Sequence, residues 1–300
     1  MKKKVCCWDL EGPITTIDFA ADLSKKLSEK SKLGLNRDNM QEFYSMISHY
    51  DDYLVESPTL KKELGISEYQ PGDTLRLMAP LYTSSLNEKI LIKLARSNYG
   101  LLPGIQKLFN TIRQNWDVFI VSTSYTQFAY SVADFLGIPR NNVYATNFDI
   151  NNLKGNLKDI NLSIDFLVRK LFQEYLRNNK DLVSVIDNLN NFFWGGQNKD
   201  YVNLMNKIKV RGGKRKEAAI ERISLKTEIP ISKMIVLGDS ITDINMLQRV
   251  KDEDGIAVSF NGNKFSIIHA NVALTTPNSL GVLPIFEEYD HFNKFLENWE

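Results

Sequence analysis

The sequence predicts an α/β protein, a doubly wound parallel sheet carrying two helical insertions, on three observations. Short apolar runs at Val5 to Trp8, Asp117 to Ser122 and Met234 to Gly238 have the length of buried parallel strands, and each ends in polar turn residues. Helical periodicity between the later runs gives the βαβ alternation of a parallel sheet. Over residues 14–98, and again over 151–210, strand-like runs vanish and only helical spacing remains. Those stretches read as a helical cap and a second, mainly helical insertion, in a Rossmann-like core made of 1–13, 99–150 and 211–300.

Composition narrows the class. The 300 residues are 43% hydrophobic and 24% charged, which excludes wholesale disorder. The 37 basic and 36 acidic side chains nearly cancel. No global field then draws nucleic acid or an anionic membrane, and neither is expected as a partner, so any anion site must be local. The two cysteines, Cys6 and Cys7, are adjacent in an apolar run and cannot build a disulfide framework, which points to a reducing cytoplasm. Lys2-Lys3-Lys4 resembles the start of a signal peptide, but Asp9 and Glu11 intervene before a long apolar region develops, and no apolar run is long enough to cross a bilayer.

In chain order, Val5 to Trp8 is the first strand, ended by the turn at Gly12-Pro13. Phe19, Leu23 and Leu27, then Met40, Phe43, Tyr44 and Ile47, then Leu86, Ile90 and Leu94 repeat at helical spacing. Gly34, Pro58, Gly65, Pro71-Gly72 and Pro80 are expected to divide them into several helices. Pro103-Gly104 opens a helix through Phe109 and Ile112. A strand to Ser122, a helix from Thr126 to Leu136 and a short strand at Val143 to Ala145 follow. Ile164 to Tyr175 reads as one amphipathic helix and Leu182 to Phe193 as another. A helix from Lys214 to Leu225 precedes the strand into Asp239. Gly255 to Phe260 is a further strand, ending at the Asn261 turn that is a candidate to line the same crevice, and Phe286 to Trp299 a closing helix.

Two strands thus end in paired carboxylates, Asp9 with Glu11 and Asp239 with Asp243, and one ends in hydroxyls at Ser122 and Thr123. A lysine-bearing helix precedes the last acidic strand. In a doubly wound sheet such ends converge on the ligand crevice. Carboxylate oxygens suit Mg²⁺, whereas lysine, hydroxyl and backbone N–H groups suit a phosphoryl group. His49, His269 and His291 have no metal-ligand spacing, so zinc chemistry is not expected.

In these motifs, Asp9-Leu10-Glu11-Gly12, Phe119 to Ser122, Lys216 and Gly238-Asp239 to Asp243, the sequence resembles the haloacid dehalogenase (HAD) superfamily, and within it the phosphoserine phosphatase branch. The resemblance covers about half the chain. It implies that Asp9 attacks phosphorus to form an aspartyl-phosphate and that Glu11, usually aspartate in the family, is the acid/base and a metal ligand through its carbonyl. Ser122 and the Thr123 N–H would bind the phosphoryl group, although a hydroxyl-rich helix start also suits capping. Lys216, with Lys214 as the alternative, would hold phosphate. Asp239 would ligate Mg²⁺ directly, and Asp243 would orient its water or Lys216. Asp18 falls where serine-specific relatives grip the substrate ammonium but equally suits a helix cap, and Arg76 is the nearest candidate for a substrate carboxylate.

The expected function is therefore a Mg²⁺-dependent phosphatase acting on a small phosphorylated metabolite. A phosphotransferase of the same fold and a non-catalytic binding protein on the same scaffold are the rivals.

Overall fold

The computed structural model describes residues 3–30, 34–153 and 157–298. At its centre is a six-stranded all-parallel sheet in the order β3-β2-β1-β4-β5-β6. The strands are β1 (Lys4–Trp8), β2 (Trp116–Tyr125), β3 (Val143–Thr146), β4 (Met234–Gly238), β5 (Ile256–Phe260) and β6 (Val272–Leu274). β1 is flanked by β2 and β4, with Trp8 level with Ile120 on one side and Leu237 on the other. Chain order therefore reverses at β1, and the crevice beyond its carboxyl end is the switch point where such sheets hold ligands.

Side chains alternate across the sheet, as period two requires. Cys6 and Trp8 face the larger core, where Trp8 packs edge-on to Phe109 and stacks on Phe286. Val5, Cys7, Phe119 and Val236 face a second core, closed by Ile220 and Ile223 and by Leu247 and Val250. Both faces are covered, so β1 beyond Lys4, residues 118–121 of β2, and β4 are runs of apolar residues. Cys6 and Cys7 are buried free thiols pointing to opposite faces.

Five helices lie between β1 and β2: α1 (Phe19–Lys30), α2 (Arg37–Glu56), α3 (Pro58–Glu63), α4 (Thr74–Ser85) and α5 (Glu88–Ser97). Pro58 opens α3, where its missing N–H is harmless. Pro80, expected to end a helix, lies inside α4, because burial of Leu77, Met78, Leu81 and Tyr82 carries the helix past it. α6 (Ile105–Ile112) precedes β2 and α7 (Thr126–Leu136) follows it, ending on left-handed Gly137.

After β3 come α8 (Ile150–Leu153) and α9 (Leu157–Phe166), which continues through π-helical Leu167–Phe172 into α10 (Gln173–Arg177). Leu182–Ser184 forms a 3₁₀ turn, so α11 (Ile186–Trp194) starts later than expected, and α12 (Lys199–Met205) is a helix the periodicity did not show. This segment packs on the helices between β1 and β2. The Trp194 indole N–H donates to the Tyr50 hydroxyl at 2.9 Å, Tyr50 donates to Asn190 at 2.7 Å, and Tyr201 donates to the Leu77 carbonyl at 2.6 Å.

α13 (Lys214–Thr227) and α14 (Ile244–Asp252) bracket β4, and α15 (Lys264–His269) precedes β6. The tail is α16 (Leu283–Glu287), a 3₁₀ turn and α17 (Phe292–Glu297), not one continuous helix; Trp299, like Lys2, lies outside the described residues. No helix among the described residues is long and apolar enough to cross a membrane.

Candidate active site

Asp9 is the first residue beyond β1, and its N–H extends the β1–β4 ladder to the Leu237 carbonyl at 2.9 Å. That bond sets it beside the end of β4, from which Asp239 projects. Carboxylate oxygens of Asp9, Asp239 and Asp243 all lie within 4.8 Å of one another. Gly12 makes the approach possible: its φ of +101° is open to glycine, and a Cβ there would collide with the Asp239 carboxylate.

Lys216, in the first turn of α13, is fully buried and bridges the group, with its Nζ 2.8 Å from Asp9 Oδ1 and 2.6 Å from Asp243 Oδ1. Lys214 is exposed, and its backbone N–H donates to Gln70 Oε1 at 3.0 Å, so Lys216 is the lysine that meets the carboxylates. The other Asp243 oxygen accepts the Asp239 and Ser240 N–H groups at 3.0 and 3.1 Å. Asp243 is thus saturated by donors and holds both the Asp239 turn and Lys216. Asp9 Oδ1 also accepts the Leu10 N–H at 2.7 Å.

Burial pushes the Asp9 carboxyl up to about 7, Asp243 adding repulsion against the pull of Lys216. Burial, then Asp243 and Asp9, push Asp239 up to about 8. Burial and the neighbouring Asp18 push Glu11 up to about 8. Burial disfavours the charge on Lys216, but Asp243 and Asp9 outweigh it and hold its pKa above the ordinary lysine value. The site carries more negative charge than one lysine balances. Asp239 Oδ1 is buried with no hydrogen-bond partner, an orphan among hard oxygen donors that suits a divalent cation such as Mg²⁺.

Glu11 Oε1 accepts the Phe19 N–H at 3.1 Å, so this carboxylate tethers the start of α1 while lining the cleft. Thr123 is on the cleft wall. Ser122 is buried behind it, its hydroxyl accepting the Ser124 N–H at 3.0 Å. Neither caps α7, because β2 runs on to Tyr125. Asp18 caps α1, accepting the Ala21 N–H at 2.9 Å, and takes the Tyr44 hydroxyl at 3.1 Å. Asn261 pairs through its side chain with the Thr276 backbone at 2.8 and 2.9 Å and is not on the cleft wall. Arg76 is not there either: it pairs with Asp73 at 3.6 Å and lies over the Tyr69 and Trp194 rings.

The cleft holds about 420 Å³. Its far wall is a set the motifs did not include, Tyr44, Ser48, Asp51 and Asp52 of α2 with Gly72 and Thr74. Their spacing of four, three and one puts the α2 residues on one helical face, a polar interruption of the apolar stripe that was available in the sequence.

No protein-family model matches the chain, and no curated protein matches it in sequence. Solved structures do. The gene product AF1437 from Archaeoglobus fulgidus is similar over 99% of this chain and 88% of its own, with TM-score 0.75 and 21% identity. A substrate-bound phosphoserine phosphatase complex is similar over 94% of this chain and 98% of its own, with TM-score 0.56 and 12% identity. A HAD family hydrolase from Salmonella enterica serovar Typhi is similar over 94% of this chain and 69% of its own, with TM-score 0.53 and 9% identity. At such identities the likeness is one of fold, and it extends across the helical segments as well as the sheet. The fold of this chain is thus similar to those of a phosphoserine phosphatase and a HAD family hydrolase.

Proposed function

We propose that the chain is a Mg²⁺-dependent phosphatase that hydrolyses a small phosphomonoester through a phosphorylated Asp9. The observation that carries this reading is the buried Lys216 bridging Asp9 and Asp243 beside an Asp239 oxygen that has no protein partner. Asp9, Asp239 and the Glu11 backbone carbonyl are the residues that would hold Mg²⁺, with Asp243 behind them. Bound there, Mg²⁺ supplies charge neutralisation between the carboxylates and the phosphoryl oxygens.

The protein's own groups divide the remaining work. Lys216 and the Leu10 N–H fix Asp9 Oδ1, and Oδ2 is the oxygen we assign to the attack on phosphorus. As the ester P–O bond breaks, Glu11 gives its proton to the leaving oxygen and the alcohol departs. Water then attacks phosphorus, Glu11 takes its proton, and phosphate leaves with Asp9 restored. Thr123, on the cleft wall, would contact the phosphoryl oxygens through its N–H, and the Ser122 hydroxyl beside it would do so too. Residues 14–98 and 151–210, joined through Tyr50, Trp194 and Tyr201, act together as the cap over the leaving group. Two buried free thiols favour a reducing cytoplasm as its place of work.

The test is phosphate release from p-nitrophenyl phosphate. Turnover is expected in Mg²⁺ and lost with a chelator, and Asp9→Asn is expected to reduce it roughly a thousandfold or more. Equal rates for wild type and Asp9→Asn would end the reading.

A further inference from the structure

Hydroxyl residues crowd the end of β2, Ser122, Thr123 and Ser124 in succession, and phosphoryl contacts account for Ser122 and Thr123. Ser124 is left over. It is only 2% exposed and is not on the cleft wall, so it does not face the substrate. The β2–β3 register shifts between Val121 and Tyr125, and within that irregularity the Ser124 N–H turns back to the Ser122 hydroxyl at 3.0 Å. Breaks of this kind re-aim a side chain that a regular strand would hold to one face. Here the side chain meets Glu11, whose carboxylate takes a hydrogen bond from the Ser124 hydroxyl.

Glu11 is therefore held from two separate parts of the chain. One donor is the Phe19 N–H at the start of α1, 3.1 Å from Oε1, and the buried Phe19 ring is itself stacked on Phe128 of α7 at 5.0 Å. The other is Ser124, in the sheet and next to Thr123. Every torsion of a glutamate side chain must be settled before its carboxyl has one place, and a single hydrogen bond leaves it free to swing. Proton transfer needs a carboxyl oxygen about 3 Å from the leaving oxygen, so that freedom matters. A hydroxyl also both donates and accepts, and stays paired whether Glu11 carries the proton or has given it up.

Building on the phosphatase reading, we propose that Ser124 is a positioning residue for the leaving group: its hydroxyl holds the Glu11 carboxyl in the orientation from which it protonates the departing oxygen. The meeting of Asp9 with phosphorus does not depend on it. Its loss is felt only where the departing group needs a proton.

The test measures kcat/KM in Mg²⁺ for p-nitrophenyl phosphate and phenyl phosphate, two aryl esters of nearly the same shape, in wild type and Ser124→Ala. p-Nitrophenolate departs without a proton, whereas phenolate is a far stronger base and calls for one. Because kcat/KM ends at departure of the phenol, the later attack of water does not enter it. Ser124→Ala is expected to lower the value for phenyl phosphate roughly tenfold or more, and that for p-nitrophenyl phosphate by no more than about twofold. In a Glu11→Gln background the same change is expected to do nothing further, since the two residues act as a unit. Should Ser124→Ala fold poorly, Ser124→Cys, close in size but a weak donor, takes its place. Equal losses for both esters, no loss for either, or an undiminished loss in the Glu11→Gln background would overturn the proposal. A wild type active on p-nitrophenyl phosphate alone has no proton transfer to position, and overturns the proposal while sparing the phosphatase reading. A wild type that hydrolyses neither ester overturns both.

Discussion

Replacing Lys216 with methionine tests the electrostatic centre of the site. The side chain is fully buried, and its ammonium is the only cation bonded to Asp9 and Asp243 among the described residues, at 2.8 and 2.6 Å. Methionine fills similar volume but leaves two buried carboxylates facing each other and the adjacent Asp239. Breaking a buried ion pair on one side costs about 3–5 kcal/mol, because the partner charge stays behind in a poor solvent. At roughly 2.1 cal/mol/K of unfolding entropy per residue, a chain of this length carries about 0.6 kcal/mol/K, so the melting temperature should fall by ~5–8 °C. Thermal unfolding followed by circular dichroism at neutral pH, in chelator, measures it. Lys214→Met is the control: its side chain is exposed, and its stability should stay within about 0.5 kcal/mol of wild type. A Lys216→Met protein that melts with wild type, or a Lys214→Met protein that loses as much, would refute the argument.

Other outcomes follow from the same geometry. In chelator, Asp239 titrates near 8 in the folded protein against an ordinary 3.8, so the folded state holds the extra proton across that window. Stability should therefore fall as pH rises from 4 to 8, and level off above. Saturating Mg²⁺ should flatten or reverse the slope, and urea unfolding at several pH values reads both. Gly12→Ala forces a Cβ against Asp239 at a left-handed φ, and should weaken Mg²⁺ binding roughly tenfold or more in a calorimetric titration. Tyr50→Phe removes the hydroxyl shared by Trp194 and Asn190, and should destabilise the protein by about 1–3 kcal/mol in chemical denaturation. No loss there would mean that the two helical segments are not joined at that point.

The sheet was legible because buried parallel strands need no alternation: three short apolar runs, each ending in polar residues, gave its centre and hence the converging carboxylates. β6 escaped because three residues, Val272 to Leu274, carry no periodicity, and α12 because seven residues span barely two turns. Pro80 misled for a physical reason. A proline removes one helical hydrogen bond, and only tertiary burial decides whether the helix continues. Within the site, Asp9, Glu11, Lys216, Asp239 and Asp243 were readable because each sits at a fixed offset from a strand or helix end. Arg76 and Asp51 were not, since one is drawn away by Asp73, Tyr69 and Trp194 and the other is brought in by the fold of α2 over the cleft. The packing of Tyr50 on Trp194, 144 residues away, has no local signature at all.

The central claim is that Asp9 bonds covalently to phosphorus. Mass mapping of peptides from protein quenched in acid during turnover of p-nitrophenyl phosphate in Mg²⁺ tests it most directly. The account predicts a phosphoryl group on the peptide containing Asp9, absent from Asp9→Asn. Steady turnover with that peptide unmodified, and an Asp9→Asn protein that remains as active, would contradict it.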